Sequence, residues 1–158
     1  MSRVLSIVCI LISFSANAQG TLEKRPWELD CDTLYLYIDT PVFNDCLGLE
    51  YEIADSILTN LDVAITDYFE REIKKEKAYL EKKENASNAI LEGVIRSRNS
   101  YQHSQKSFIE YRSSLAQFVY DQHFSSPGPR NRQVTSHMLF LTIERIFTLE
   151  SIKEEMLW

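Results

Sequence analysis

Residues 46–69 read CLGLEYEIADSILTNLDVAITDYF. Apolar side chains recur there at Cys46, Leu49, Ile53, Ile57, Leu61, Ala64 and Tyr68, in steps of three and four. That is the period of a helix with one buried face. At ~100° per residue, a second set, Ala54, Leu58, Ile65 and Phe69, falls on a neighbouring stripe. Together they make an apolar arc of roughly half the circumference, wider than the stripe of an ordinary surface helix. Such a helix touches two partners at once. The stretch is therefore expected to be the central packing surface of a small helical bundle.

Working outward, Thr40-Pro41 provides a helix start, because Thr can cap and Pro suits the first helical position. The first helix is predicted from about Pro41 to Glu84. Its second half, residues 70–84, is mostly charged, with Ile73, Ala78, Tyr79 and Leu80 as the apolar minority. Glu72 with Lys75 and Glu70 with Lys74 sit at helix-pair spacing, as on a solvated extension. Asn85-Ala86-Ser87-Asn88 reads as a turn with a cap for the next helix, and Asn85-Ala86-Ser87 also matches a glycosylation sequon. A second helix is predicted over Ser87–Gln122, with Ile90, Val94, Tyr101, Phe108, Leu115 and Val119 inward. Ser125-Ser126-Pro127-Gly128-Pro129 ends it, since Pro and Gly continue a helix only at a cost. The third is predicted over Asn131–Met156, with Val134, Met138, Leu141, Leu149, Ile152 and Met156 inward. Three long helices with short connections make an all-α, up-down-up bundle over residues 41–158, a size suited to one domain.

The segments before the bundle differ in kind. Arg3, the apolar run Val4–Ile12 and Ala16-Asn17-Ala18 form the pattern of an export signal over residues 1–18, with cleavage before Gln19. The run is too short to span a membrane comfortably, and no second apolar run of spanning length follows. Residues 19–40 read as an irregular N-terminal arm. Cys31 and Cys46 are the two cysteines beyond the signal, and an even pair in an exported chain suggests one disulfide; two free thiols are the alternative. No His stands near them at metal-ligand spacing. The chain carries 17 basic and 23 acidic residues, a net charge of −6, and loss of Arg3 with the signal makes it about −7. That balance argues against a nucleic-acid binder; it either only aids solubility or favours encounter with a basic protein.

Several polar residues project onto the apolar faces. Arg98, Gln105 and Arg112 recur every seven residues near the middle of the second helix's arc. Arg145 falls between Met138 and Leu149. Glu50 lies between Cys46 and Ile53, and Asp55 sits at the edge of the first arc. Buried charges need partners. Folding the first hairpin about residue 85 sets Glu50 opposite roughly residue 120, close to Arg112. Folding the second about residue 127 sets Arg112 opposite roughly residue 142, a turn from Arg145. Glu50, Asp55, Gln105, Arg112 and Arg145 are thus candidates either for a paired layer that fixes helix register or for a recessed anion-binding or partner-binding site. Nothing points to catalysis or a cofactor. The sequence holds no Glu-x-x-His metal set, no His-Glu-x-x-His, no Gly-rich phosphate loop and no GxSxG elbow. His103, His123 and His137 have no ligand spacing.

The same residues carry a resemblance. Cys46 followed by Tyr51-Glu52-x-Ala54-Asp55-x-x-Leu58 resembles the opening motif of the LprI-like lysozyme-inhibitor domain family. Ser104-Gln105-x-x-Phe108-Ile109-x-Tyr111-Arg112 resembles its second motif, Ser-Gln-x-x-Trp-Ile-x-Tyr-Arg. Leu141-Thr142-x-x-Arg145-x-x-x-Leu149 resembles its third. The match runs in order over about residues 46–150. The chain departs from the family's inter-helix disulfide, having Ser113-Ser114-Leu115-Ala116 and Ser136-His137-Met138 where members often carry cysteines. The 70–84 segment looks like an insertion between motifs. The resemblance implies a periplasmic or secreted protein that blocks lysozyme or a related muramidase by protein–protein contact. The alternative is a structural or interaction module of the cell envelope without inhibitory activity. An enzyme is not expected, and the sequence assigns no oligomeric state.

Overall fold

A computed structural model describes residues 25, 28–29, 31, 41–83, 87–123 and 127–156. Three helices run α1 (Pro41–Glu81), α2 (Ala89–Gln122) and α3 (Pro127–Met156). Each packs against the other two in an up-down-up bundle, and among the described residues there is no strand. The predicted export signal and most of the arm lie outside the described residues. At 1.5 Å per residue the helices measure about 62, 51 and 45 Å.

The helix limits follow local chemistry. α1 ends at Glu81, with the Lys82 and Lys83 amides bonded back to Tyr79 and Leu80 in a final tight turn. α2 begins two residues later than predicted, because the Ser87 hydroxyl accepts the Ala89 amide at 3.3 Å and Asn88 makes no side-chain cap. α3 begins earlier than predicted, at Pro127: Pro is compatible with the first turn of a helix, where the missing N–H costs nothing. Residues 127–129 of the stretch expected to separate α2 from α3 therefore open α3.

The core lies where the three helices meet. Leu47, Ala54, Leu58, Ile65 and Phe69 of α1 pack with Tyr101 of α2 and with Leu139, Ile146 and Leu149 of α3. The Phe69 and Tyr101 ring centroids are 5.9 Å apart. The centre of α1's buried face is thus its second apolar stripe, with Leu47 added. Ile53, Ile57, Leu61 and Tyr68 pack partly buried around it, and Leu49 is 49% exposed. With a partner on either side, the face points between the two partners rather than along the stripe with the most apolar residues. On α3, Leu139 and Ile146 are buried and were not predicted, while Phe140 and Phe147 point outward. A helix with apolar residues on several faces gives no clear period from which to choose the inner one.

The described part of the arm is held at several points. Cys31 is disulfide-bonded to Cys46 in the second turn of α1, with Cα atoms 5.9 Å apart. The Leu29 amide donates to Glu50 Oε1 at 2.9 Å. Arg25 reaches α3, 3.7 Å from Glu150 and 4.9 Å over the Phe147 ring. These contacts hold Leu29 and Cys31 against α1 and Arg25 against α3. No helix among the described residues is long and apolar enough to cross a membrane.

Candidate functional site: a polar ladder between the helices

Arg98, Gln105 and Arg112 stand at successive heptad positions on α2, and each meets a carboxylate of α1. Arg112 Nη1 donates to Asp55 Oδ1 at 2.5 Å. Gln105 Nε2 donates to Asp62 Oδ1 at 2.8 Å. Arg98 Nη1 donates to Glu70 Oε1 at 3.0 Å. A seven-residue step from Asp55 to Asp62 is answered by a seven-residue step back from Arg112 to Gln105, as an antiparallel pair in constant register requires.

The third helix joins the first two rungs. Arg112 Nη1 also donates to Thr142 Oγ1 at 3.0 Å, and Thr142 in turn donates to the Met138 carbonyl at 2.7 Å. Thr142 has no exposed surface, so both bonds are needed to satisfy its hydroxyl. Arg145 Nε donates to Gln105 Oε1 at 2.7 Å, and its Nη2 donates to Ser104 Oγ at 2.9 Å. Tyr101 donates its hydroxyl to Asp62 Oδ1 at 2.6 Å. The two rungs meet at Phe108, whose ring has the Arg112 guanidinium 5.4 Å and the Arg145 guanidinium 5.5 Å from its centroid. Arg112 also lies 5.9 Å from the Tyr51 ring. Such stacking suits a guanidinium, which is weakly hydrated and planar.

Of the residues singled out in the sequence, Asp55, Gln105, Arg112 and Arg145 come together here. Glu50 does not: its carboxylate holds the arm through the Leu29 amide. In the hairpin's register Asp55 faces Arg112, and Glu50 is more than a turn away on the flank nearest the arm. Arg145 shares no carboxylate with Arg112; it acts one rung along, through Gln105. Five participants were not singled out as site residues: Asp62, Glu70, Tyr101, Ser104 and Thr142; Glu70, expected at helix-pair spacing to Lys74, bonds to Arg98 instead. The seven-residue step from Asp55 would have pointed to Asp62. Ser104 and Thr142 lie within the second and third motifs but carry no charge to mark them.

The electrostatics are those of a closed account: two guanidiniums, Arg112 and Arg145, and two carboxylates, Asp55 and Asp62. Burial lowers the Arg145 pKa, while Tyr101 and Asp62 act to raise it. Tyr101 is pushed above the ordinary phenol range, first by burial and then by its hydrogen bond to Asp62. Tyr51 is raised as well, chiefly by burial; Arg112 opposes that and Asp55 reinforces it. Arg112 Nε is buried with no hydrogen-bond partner. Its side chain is 14% exposed, which leaves little room for a ligand to approach the stacked guanidinium. Among the described residues no group of three or more His, Cys, Asp or Glu is placed to hold a metal ion. What the ladder can do chemically is fix the relative height and rotation of three helices.

Comparison with models of protein families, with curated proteins and with solved structures returns no match.

Proposed function

We propose that this chain is an exported binding protein that blocks lysozyme or a related muramidase by protein–protein contact. The observation that carries the reading is the occupancy of the motif residues. Asp55, Gln105, Arg112, Thr142 and Arg145 are bonded to one another or to neighbouring helices inside the bundle. With Asp62, which accepts from Gln105, their charges balance, so they act as a scaffold and leave recognition to the outer surface. The excess of acid over base in the whole chain, net −6, favours a cationic partner such as a lysozyme. The three ordered motifs and the export pattern are in keeping with the same reading.

The test is a muramidase assay with the purified protein. Inhibition that saturates with protein concentration and weakens with added salt is expected, because attraction between opposite net charges is screened over ~8–10 Å at ordinary ionic strength. Absence of both inhibition and binding at low salt would sink the proposal. A second reading, an envelope interaction module, draws on the charged end of α1, where Arg71, Lys74 and Lys77 all stand exposed. It gains if an envelope protein co-purifies with the chain and lysozyme does not.

A further inference from the structure

Between Pro41 and Phe69, α1 carries six acidic residues and no Lys or Arg. Three of the six have internal duties: Glu50 holds the arm, Asp55 pairs with Arg112, and Asp62 accepts from Tyr101 and Gln105. The other three, Asp45, Glu52 and Asp67, are exposed. Steps of three, four and eleven place them on one outward stripe with Val42, Leu49 and Val63, which are 60%, 49% and 53% exposed. Among the described residues no ion pair reaches any of these three carboxylates. The charged end of α1 and the outward face of α2 are laced differently, while the exposed Glu144, Glu154 and Glu155 of α3, likewise without an ion pair among the described residues, share their helix with Arg145 and Lys153. Glu72 pairs with Lys75, Glu92 with Arg96, and Lys106 with Glu110. Such pairs are how a solvated helix face ordinarily offsets its charge.

We propose that this outward face of α1 is the docking surface for a cationic protein. Exposed aliphatic side chains supply area to bury, and carboxylates without internal partners supply the sign of the occupant. An acidic or neutral protein would gain the first and be repelled or unaided by the second. The stripe from Val42 to Asp67 is about 38 Å long and about 10 Å wide. That is roughly 400 Å², about half of what one partner contributes to a standard interface. The contact therefore belongs with small, salt-sensitive interfaces in which charge governs the on-rate. The inference rests on the reading of the chain as a binder of a basic protein and adds where that partner sits.

The experiment measures binding of the purified protein to an immobilised cationic lysozyme and, separately, to cytochrome c, a cationic protein of unrelated fold. Three variants are compared with wild type. Asp45→Lys/Glu52→Lys/Asp67→Lys reverses the α1 stripe. Glu144→Lys/Glu154→Lys/Glu155→Lys makes the same change in net charge on exposed positions of α3. Leu49→Ser/Val63→Ser leaves charge alone. Circular dichroism and unfolding midpoints confirm that each is folded. The α1 reversal should weaken lysozyme binding by about tenfold or more and the α3 reversal by no more than about threefold; the serine pair should weaken it at unchanged salt dependence. Equal losses from the two reversals would overturn the proposal by reducing it to net charge, and wild-type binding by the α1 reversal would overturn it outright. If lysozyme is not bound but cytochrome c is, with the same dependence on the α1 stripe, the docking surface stands and the lysozyme reading falls. Binding to neither at low salt overturns the docking surface as well.

Discussion

Arg112 and Arg98 stand two heptads apart on the same face of α2, and each donates to a carboxylate of α1. Their surroundings differ. The Arg112 side chain is 14% exposed, stacks near Phe108 and Tyr51, and shares its Nη1 with Thr142 of α3. Arg98 is 27% exposed and its partner Glu70 is 53% exposed; its remaining hydrogen bonds go to the adjacent Asn99. The pairing chemistry is the same in both. What changes is the third helix, which supplies a buried acceptor to one and none to the other. An arginine–carboxylate rung becomes a structural element where three helices converge, and stays a surface ion pair where two do.

The largest expected effect that tests this contrast is at Arg112. Arg112→Ala leaves Asp55 and the fully buried Thr142 hydroxyl without their donor. A fully buried pair broken in this way costs ~3–5 kcal/mol. Asp55 is 40% exposed and keeps some water, so about 2–3 kcal/mol is expected from urea unfolding. Arg112→Lys should recover only part, because an ammonium cannot stack and fork as a guanidinium does. A loss below about 0.5 kcal/mol, the range of an ordinary surface substitution, would erase the difference between the two rungs.

Asp62 should follow. Asp62→Ala strands the Tyr101 hydroxyl and the Gln105 amide and is expected to cost about 1–2 kcal/mol. Asp62→Asn should cost less, since its carbonyl oxygen can still accept from both. Equal destabilisation by the two substitutions would show that charge, rather than acceptor geometry, is what matters at the middle rung.

The third expectation concerns alkaline pH. Burial and the bond to Asp62 raise the Tyr101 pKa in the folded state. The unfolded phenol loses its proton near pH ~10, while the folded one keeps it, so above that pH the folded state binds more protons. Stability should therefore be fully present below pH ~10 and fall as pH rises further. Tyr101→Phe should flatten this alkaline limb, leaving a smaller slope from Tyr51, which is raised in the same direction. Unfolding free energies compared at about pH 9 and pH 11 decide it; an unchanged limb in the variant would remove Tyr101 as its source.

The smallest effect belongs to Arg98. Arg98→Ala removes a partly exposed pair, for which less than about 1 kcal/mol is expected. Raising the salt concentration should shrink that difference further, while leaving most of the Arg112 effect in place.

Much of this contrast was visible in the chain before folding. The seven-residue recurrence of Arg98, Gln105 and Arg112 on an apolar face already marked α2 as carrying a polar seam. The fold of the second hairpin about residue 127 put Arg112 opposite residue 142, and Thr142 is where it bonds. The first hairpin was less exact. A fold about residue 85 sets Arg112 opposite residue 58, within a turn of Asp55 and two turns from Glu50, and the observed pairs Asp55–Arg112 and Asp62–Gln105 centre the hairpin between residues 83 and 84. A projection also weighs residue types and not depth. Thr142, with only one hydroxyl to satisfy, did not stand out, and Tyr101 was expected inward as an apolar-face residue and not as a donor, although both are buried in the seam. The role of Glu50 depended on Leu29, whose position in an irregular arm follows no period.

The most direct measurement is a pair of double-mutant cycles, Asp55→Ala with Arg112→Ala and Glu70→Ala with Arg98→Ala, both read by equilibrium unfolding. Single-site losses mix the pair with its surroundings, whereas the coupling isolates the rung. The account predicts coupling of about 1.5–3 kcal/mol for Asp55–Arg112 and no more than about 0.5 kcal/mol for Glu70–Arg98. Couplings of the same size would contradict it, because the third helix would then add nothing to the rung it covers.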